Sequence, residues 1–129
     1  MLTNKRILKW LVGMLILTIL VAGCRSSQKT KGLPDGNYSS RGYLITLNKG
    51  QFVIRDIAEG SYTIDGDKIT FNITKYYNPD SGCPNYIFTY RWSFDAETNL
   101  LAFEAVDDTC SFRVDALTLG SWEYSKISK

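Results

Sequence analysis

Tyr86-Ile87-Phe88-Thr89-Tyr90-Arg91-Trp92-Ser93-Phe94 decides the fold. Every even position is aromatic, and three of the four positions between are polar. A period of two puts alternate side chains on opposite faces of an extended chain. A helix would scatter the same five rings around its circumference. The stretch reads as a β-strand with an aromatic face and a polar face.

The same period continues outward. Ile69, Phe71 and Ile73 alternate with Thr70, Asn72 and Thr74. Tyr43, Ile45 and Leu47 stand against Thr46 and Asn48. Turn residues punctuate these runs: Asn48-Lys49-Gly50, Ala58-Glu59-Gly60, and Asp95 to Asn99. Asp65-Gly66-Asp67 is the strongest, an Asp-Gly hairpin between Tyr62-Thr63-Ile64 and Lys68 to Phe71. No segment has the apolar spacing of an amphipathic helix. Short links between neighbouring strands make an antiparallel meander. The reading is all-β, with about eight or nine short strands closing into an up-and-down barrel. The longest gap, Tyr76 to Asn85, is rich in Asn, Pro, Asp, Ser and Gly and reads as a surface loop.

The N-terminus has a different character. Lys5, Arg6 and Lys9 precede an uncharged run, Trp10–Gly23, that is 14 residues long. A bilayer-spanning helix needs about 20. A basic start, a short apolar helix and small residues at its end describe a secretory signal peptide. Val21-Ala22-Gly23-Cys24 resembles the lipobox of bacterial lipoproteins. That resemblance implies cleavage before Cys24 and a diacylglycerol on its sulfur, so that lipid attaches the chain to a membrane of the cell envelope. The expected layout is a signal peptide over 1–23 and a lipidated Cys24 with a polar tether over 24–35. A barrel domain over 36–125 and a tail over 126–129 follow. The eleven tether residues from Arg25 reach about 18 Å root-mean-square.

Removing Lys5, Arg6 and Lys9 leaves 12 basic residues against 13 acids, a formal charge of −1. No basic run remains to attract nucleic acid. Cys83 and Cys110 are the two cysteines left after Cys24, and an exported pair is expected to form a disulfide. With no histidine and no CxxC, a metal site built on them is poor.

The order of landmarks in the folded part is similar to small bacterial secreted proteins with a lipocalin-like (calycin) barrel. The landmarks are Gly36-Asn37-Tyr38, the hairpin Gly60 to Asp67, Tyr90 to Asp95, Val106 to Cys110, Arg113, and Gly120-Ser121-Trp122. Lipocalins open on a Gly-x-Trp and carry a late Arg over that ring. The resemblance implies Tyr38 in place of the ring and Arg113 as its partner.

Catalytic groups are sparse. The absence of histidine removes Ser–His and Cys–His arrangements, and the ten glycines sit singly rather than in a phosphate loop. Asp107-Asp108 is the only adjacent acid pair and reads as a solvated turn at a strand end. Asn78, Asp80 and Ser81 read as turn residues rather than cation ligands. The chain is read as a non-enzyme without cofactor or metal, and its oligomeric state is not encoded in any motif. The aromatic face is the better candidate. Tyr43, Phe52, Tyr62, Phe71, Phe88, Tyr90, Trp92 and Phe94, with Arg113, are the expected lining for a small hydrophobic or amphipathic ligand. An eight-stranded barrel is just wide enough for one small ligand or for side chains that fill it. The alternative is a solid barrel, in which Tyr76, Tyr77 and the following loop contact a protein or polysaccharide.

Overall fold

Eight antiparallel strands follow one another around a closed barrel in the computed structural model, which describes residues 32–81 and 83–129. They are β1 (Gly36–Ser40), β2 (Tyr43–Asn48), β3 (Gln51–Ile54), β4 (Ala58–Asp65), β5 (Lys68–Tyr76), β6 (Ile87–Asp95), β7 (Leu100–Asp107) and β8 (Trp122–Ser125). Each strand pairs with its sequence neighbour, and β1 closes the ring on β8 through Asn37–Ser125, Tyr38–Tyr124 and Ser39–Glu123. The all-β meander expected from the period-two pattern is the observed architecture. The signal peptide, Cys24 and the tether up to residue 31 lie outside the described residues. No helix among the described residues is long and apolar enough to cross a membrane.

The hairpins follow from their turn residues. Arg41-Gly42 and Lys49-Gly50 each place both loop residues at positive φ, 49° and 88° in the first, 49° and 78° in the second. That is the type I′ pattern, whose twist matches the strands it joins. Gly66 supplies the positive φ between Asp65 and Lys68. Ala58-Glu59-Gly60 is not a turn. Arg55 to Ile57 make the link, and Gly60 sits inside β4 at a register shift opposite β5. A Cβ on Gly60 would collide with the Asn72 carbonyl. This glycine permits close backbone approach at a bulge, a role that local sequence does not separate from a turn.

A helix interrupts the meander where none was expected. α1 (Ser111–Thr118) connects β7 to β8 and buries only Arg113 and Leu117. One buried residue per turn is too narrow a stripe to register as amphipathic. An eight-residue helix is marginal alone. Its contacts hold it: Trp122 Nε1 donates to the Leu117 carbonyl at 3.0 Å, and Cys110 at its N-cap is disulfide-bonded to Cys83, Cα atoms 5.9 Å apart. Such a disulfide belongs to an oxidising, exported environment.

The body of the barrel is filled by rings. Phe52 and Phe88 lie 5.1 and 5.2 Å from Phe71 between ring centres, and Tyr90 and Trp122 lie 6.0 and 6.3 Å from Phe103. Leu33–Lys129 forms one compact unit, and all strand pairing and the buried cluster lie within it. The barrel therefore carries its own core and closure. One end is plugged by the entering chain. Leu33 is buried there, the Tyr38 hydroxyl donates to the Pro34 carbonyl, and Tyr62 donates to the Asp35 carboxylate at 3.2 Å. The other end carries the 77–86 loop, the disulfide and α1.

Candidate functional site

The end bearing α1 holds an apolar cleft of about 60 Å³. Strand residues make its walls: Tyr43 and Ile45 from β2, Ile54 from β3, Ala58 from β4, Ile73 and Tyr76 from β5. Phe112, Ala116 and Leu117 of α1 form its roof with Trp122 of β8. The alternation that points Tyr43 and Ile45 inward also places Leu44 on the outer wall. Phe112 stands at the rim and is 65% exposed, an unusual position for a phenylalanine. The volume suits a few methylenes or several waters, since one water needs about 10–15 Å³.

A buried ionic network fixes the roof. Asp108 accepts from Arg113 Nε at 2.6 Å and from Nη2 at 2.7 Å. It also accepts from the Tyr90 hydroxyl at 2.6 Å and the Cys110 N–H at 3.0 Å. Arg113 Nη1 donates to the Asn85 carbonyl at 3.0 Å and to the Tyr76 hydroxyl at 3.3 Å. The side chains of Arg113 and Asp108 are 8% and 0% exposed. Asp108 is thus not a residue of a solvated turn; the carboxylate is turned inward, where four donors satisfy it.

Burial alone would push the Asp108 carboxyl up. Hydrogen bonds from Arg113, Tyr90 and Cys110, with the Arg113 charge, outweigh burial and hold it below its ordinary value. Burial opposes the charge on Arg113, but Asp108 more than offsets it and keeps the guanidinium firmly charged. Burial, then the bond to Asp108, pushes the Tyr90 hydroxyl far up, so it remains a donor.

Arg113 does not pack on Tyr38. Its guanidinium lies 3.7 Å above the Phe88 ring, at the α1 end. Tyr38 instead meets Phe94 and Tyr124 near the plugged end. The late arginine and the opening aromatic are therefore separate features here.

The expected lining residues divide along the barrel axis. Tyr43 and Arg113 reach the cleft. Phe52, Phe71, Phe88 and Tyr90 are buried against one another in the body. Trp92 is buried too, and its Nε1 finds no hydrogen-bond partner among the described residues. Tyr62 and Phe94 belong to the plugged end, where Tyr62 meets Asp35 and Phe94 meets Tyr38. Tyr86 leaves the inward face altogether; it is exposed and its ring meets Tyr76. The cleft residues that sequence reasoning missed are chiefly Ile45, Ile54, Ile73, Phe112 and Ala116. For Ile45, Ile54 and Ile73 the signal was position, inward sites toward the strand ends that share one end of the meander; Phe112 and Ala116 lie on α1, which no apolar pattern announces.

The described residues contain no group of His, Cys, Asp and Glu able to hold a metal ion. Compared with protein-family models, curated proteins and solved structures, the chain matches none.

Proposed function

We propose that this chain is an exported, lipid-anchored envelope protein that holds the apolar part of a small amphipathic molecule in the cleft beneath α1. One observation carries the reading. The barrel body is filled, yet one end keeps an apolar cleft roofed by a short helix, with Phe112 exposed at its rim. An unfilled apolar site is costly to maintain in a core that could close it. The lipobox-like Val21-Ala22-Gly23-Cys24 supports the anchor, and the lipocalin-like order of landmarks supports a carrier. Leu33 to Asp35 lie at the plugged end, away from the cleft.

The test is uptake of the neutral apolar probe N-phenyl-1-naphthylamine, which would enter the cleft by one ring edge and lie with the rest against exposed Phe112, by residues 25–129 made in an oxidising compartment. Fluorescence should rise and saturate at one probe per chain. Ala116→Trp, which fills the cleft from its roof, should abolish the rise while the circular dichroism spectrum is kept. No saturable uptake by the wild-type barrel sinks the proposal.

The filled body supports a second reading, a barrel that binds a partner through its surface. Tyr86, Ile87 and Phe112 are 53%, 62% and 65% exposed at the α1 end. That reading predicts a probe-free barrel whose envelope partner is lost when all three are changed to Ser.

A further inference from the structure

We propose that the ligand is an anionic amphiphile, with one alkyl chain ending in a carboxylate or phosphate monoester, and that Arg41 and Arg55 receive the acid group. The inference rests on the cleft reading and adds the chemistry of the other half of the ligand.

A groove of about 530 Å³ lies on the outer face of the wall that bounds the cleft. The two sites alternate along the same strands. Ile45 and Ile54 line the cleft, while Leu44 and Arg55 line the groove; Trp122 lines the cleft, while Ser121 and Glu123 line the groove. Tyr43 lines both, so it marks the rim where they meet. A molecule with its tail under α1 and its head over that rim meets the groove at the Arg41-Gly42 turn.

The charge there is available. Among the described residues, Arg91 pairs with Asp67 and Glu104, and Arg113 pairs with Asp108. Arg41 and Arg55 are exposed and form no ion pair with a described residue, although both line the same groove. Glu123 is the one acid in the groove and leaves it with a net positive charge. Two guanidinium forks suit a carboxylate or a phosphate, each of which accepts from two donors at once. Ser39 and Ser121 add neutral donors at the same surface. A cationic or neutral head would leave both arginines without a counter-charge.

The experiment is displacement of N-phenyl-1-naphthylamine from residues 25–129 by decanoate, decyl phosphate, decanol and decyltrimethylammonium. Each is used as a monomer below its micelle concentration. The two anions should displace the probe about tenfold more tightly than decanol, the scale of one charge-assisted contact. The cation should be weakest. Arg41→Asn removes the charge but installs a residue that a type I′ turn favours, so its effect is not one of misfolding. Arg41→Asn and Arg55→Gln should each shrink the anion preference, the pair should erase it, and Glu123→Gln should enlarge it. The ratio of decyl phosphate to decanoate tells which acid the groove prefers. Equal displacement by decanol and the anions overturns the anionic assignment but leaves the cleft. An anion preference that survives the double Arg variant overturns the assignment of the acid group to Arg41 and Arg55 and also leaves the cleft. Failure of every compound, with no probe uptake, removes the cleft reading too.

Discussion

Arg113→Met tests the network that holds the roof. The substitution keeps an apolar stem of similar length and deletes the guanidinium. It removes two short bonds to Asp108, 2.6 and 2.7 Å, and the stacking over Phe88 at 3.7 Å. Asp108, with no exposed side-chain area, keeps only Tyr90 and the Cys110 N–H as donors. Removing one partner from a buried ion pair costs about 3–5 kcal/mol, because the other charge stays buried without compensation. For a domain of this size, each kcal/mol moves the midpoint about 4–8 °C, so a drop of about 12–40 °C is expected by thermal circular dichroism. The acid limb gives an independent check. Asp108 has its carboxyl held below the ordinary 3.8 in the folded state. A depressed carboxylate contributes stability that is present above the unfolded value and lost as pH falls through the folded one. The gap between wild type and Arg113→Met should therefore be full at neutral pH and shrink below about pH 4. Asp108→Asn with Arg113→Met should cost less than the two single changes summed. A loss under about 1 kcal/mol, the range of a solvent-exposed pair, with no pH dependence of the gap, refutes the buried-network reasoning.

Two further outcomes follow from the covalent and backbone geometry. Changing Cys83 and Cys110 together to Ser opens a loop of 27 residues' separation; urea unfolding should show a loss of about 3.5 kcal/mol in the chain-entropy account. Gly60→Ala drives a Cβ into the Asn72 backbone and should cost about 1–3 kcal/mol by the same assay, whereas Gly32→Ala, which meets nothing within 4 Å, should be silent.

Much of the barrel is legible because period two carries both strand identity and facing. Phe88, Tyr90 and Trp92 are buried where the alternation puts them, and the β2–β3 and β4–β5 hairpins fall on the turns expected at Lys49-Gly50 and Gly66. Two elements escape that signal for physical reasons. α1 buries Arg113 and Leu117 but exposes Phe112, and Leu119 at its C-cap is exposed too, so no apolar stripe announces it; the disulfide, Asp108 and Trp122 hold it from outside. Gly60 serves a contact with a strand twelve residues away, between Gly60 and Asn72, which no local pattern encodes. The candidate site is less legible than the fold. Alternation says which face a side chain takes but not its height along the barrel axis. Phe71 and Ile73 share a face, yet Phe71 sits among rings and Ile73 lines the cleft.

That height separates stability from binding. Phe71 touches the rings of Phe52, Tyr62, Phe88 and Phe103 and lines no cleft. Phe71→Ala should cost about 3–5 kcal/mol, since its neighbours cannot collapse into the space it leaves. Below the unfolding transition it should still take up the apolar probe with unchanged affinity at the α1 end. Ala116→Trp should do the reverse: a roof residue on a half-buried helix face can enlarge into the cleft with a small change in midpoint and a complete loss of uptake. Measuring both variants by urea unfolding and by probe titration separates the two sites. If Phe71→Ala abolishes uptake while folded and Ala116→Trp does not, the ligand enters the body of the barrel. The rings that fill it would then have to move aside, at the expense of the same packing that holds the barrel closed.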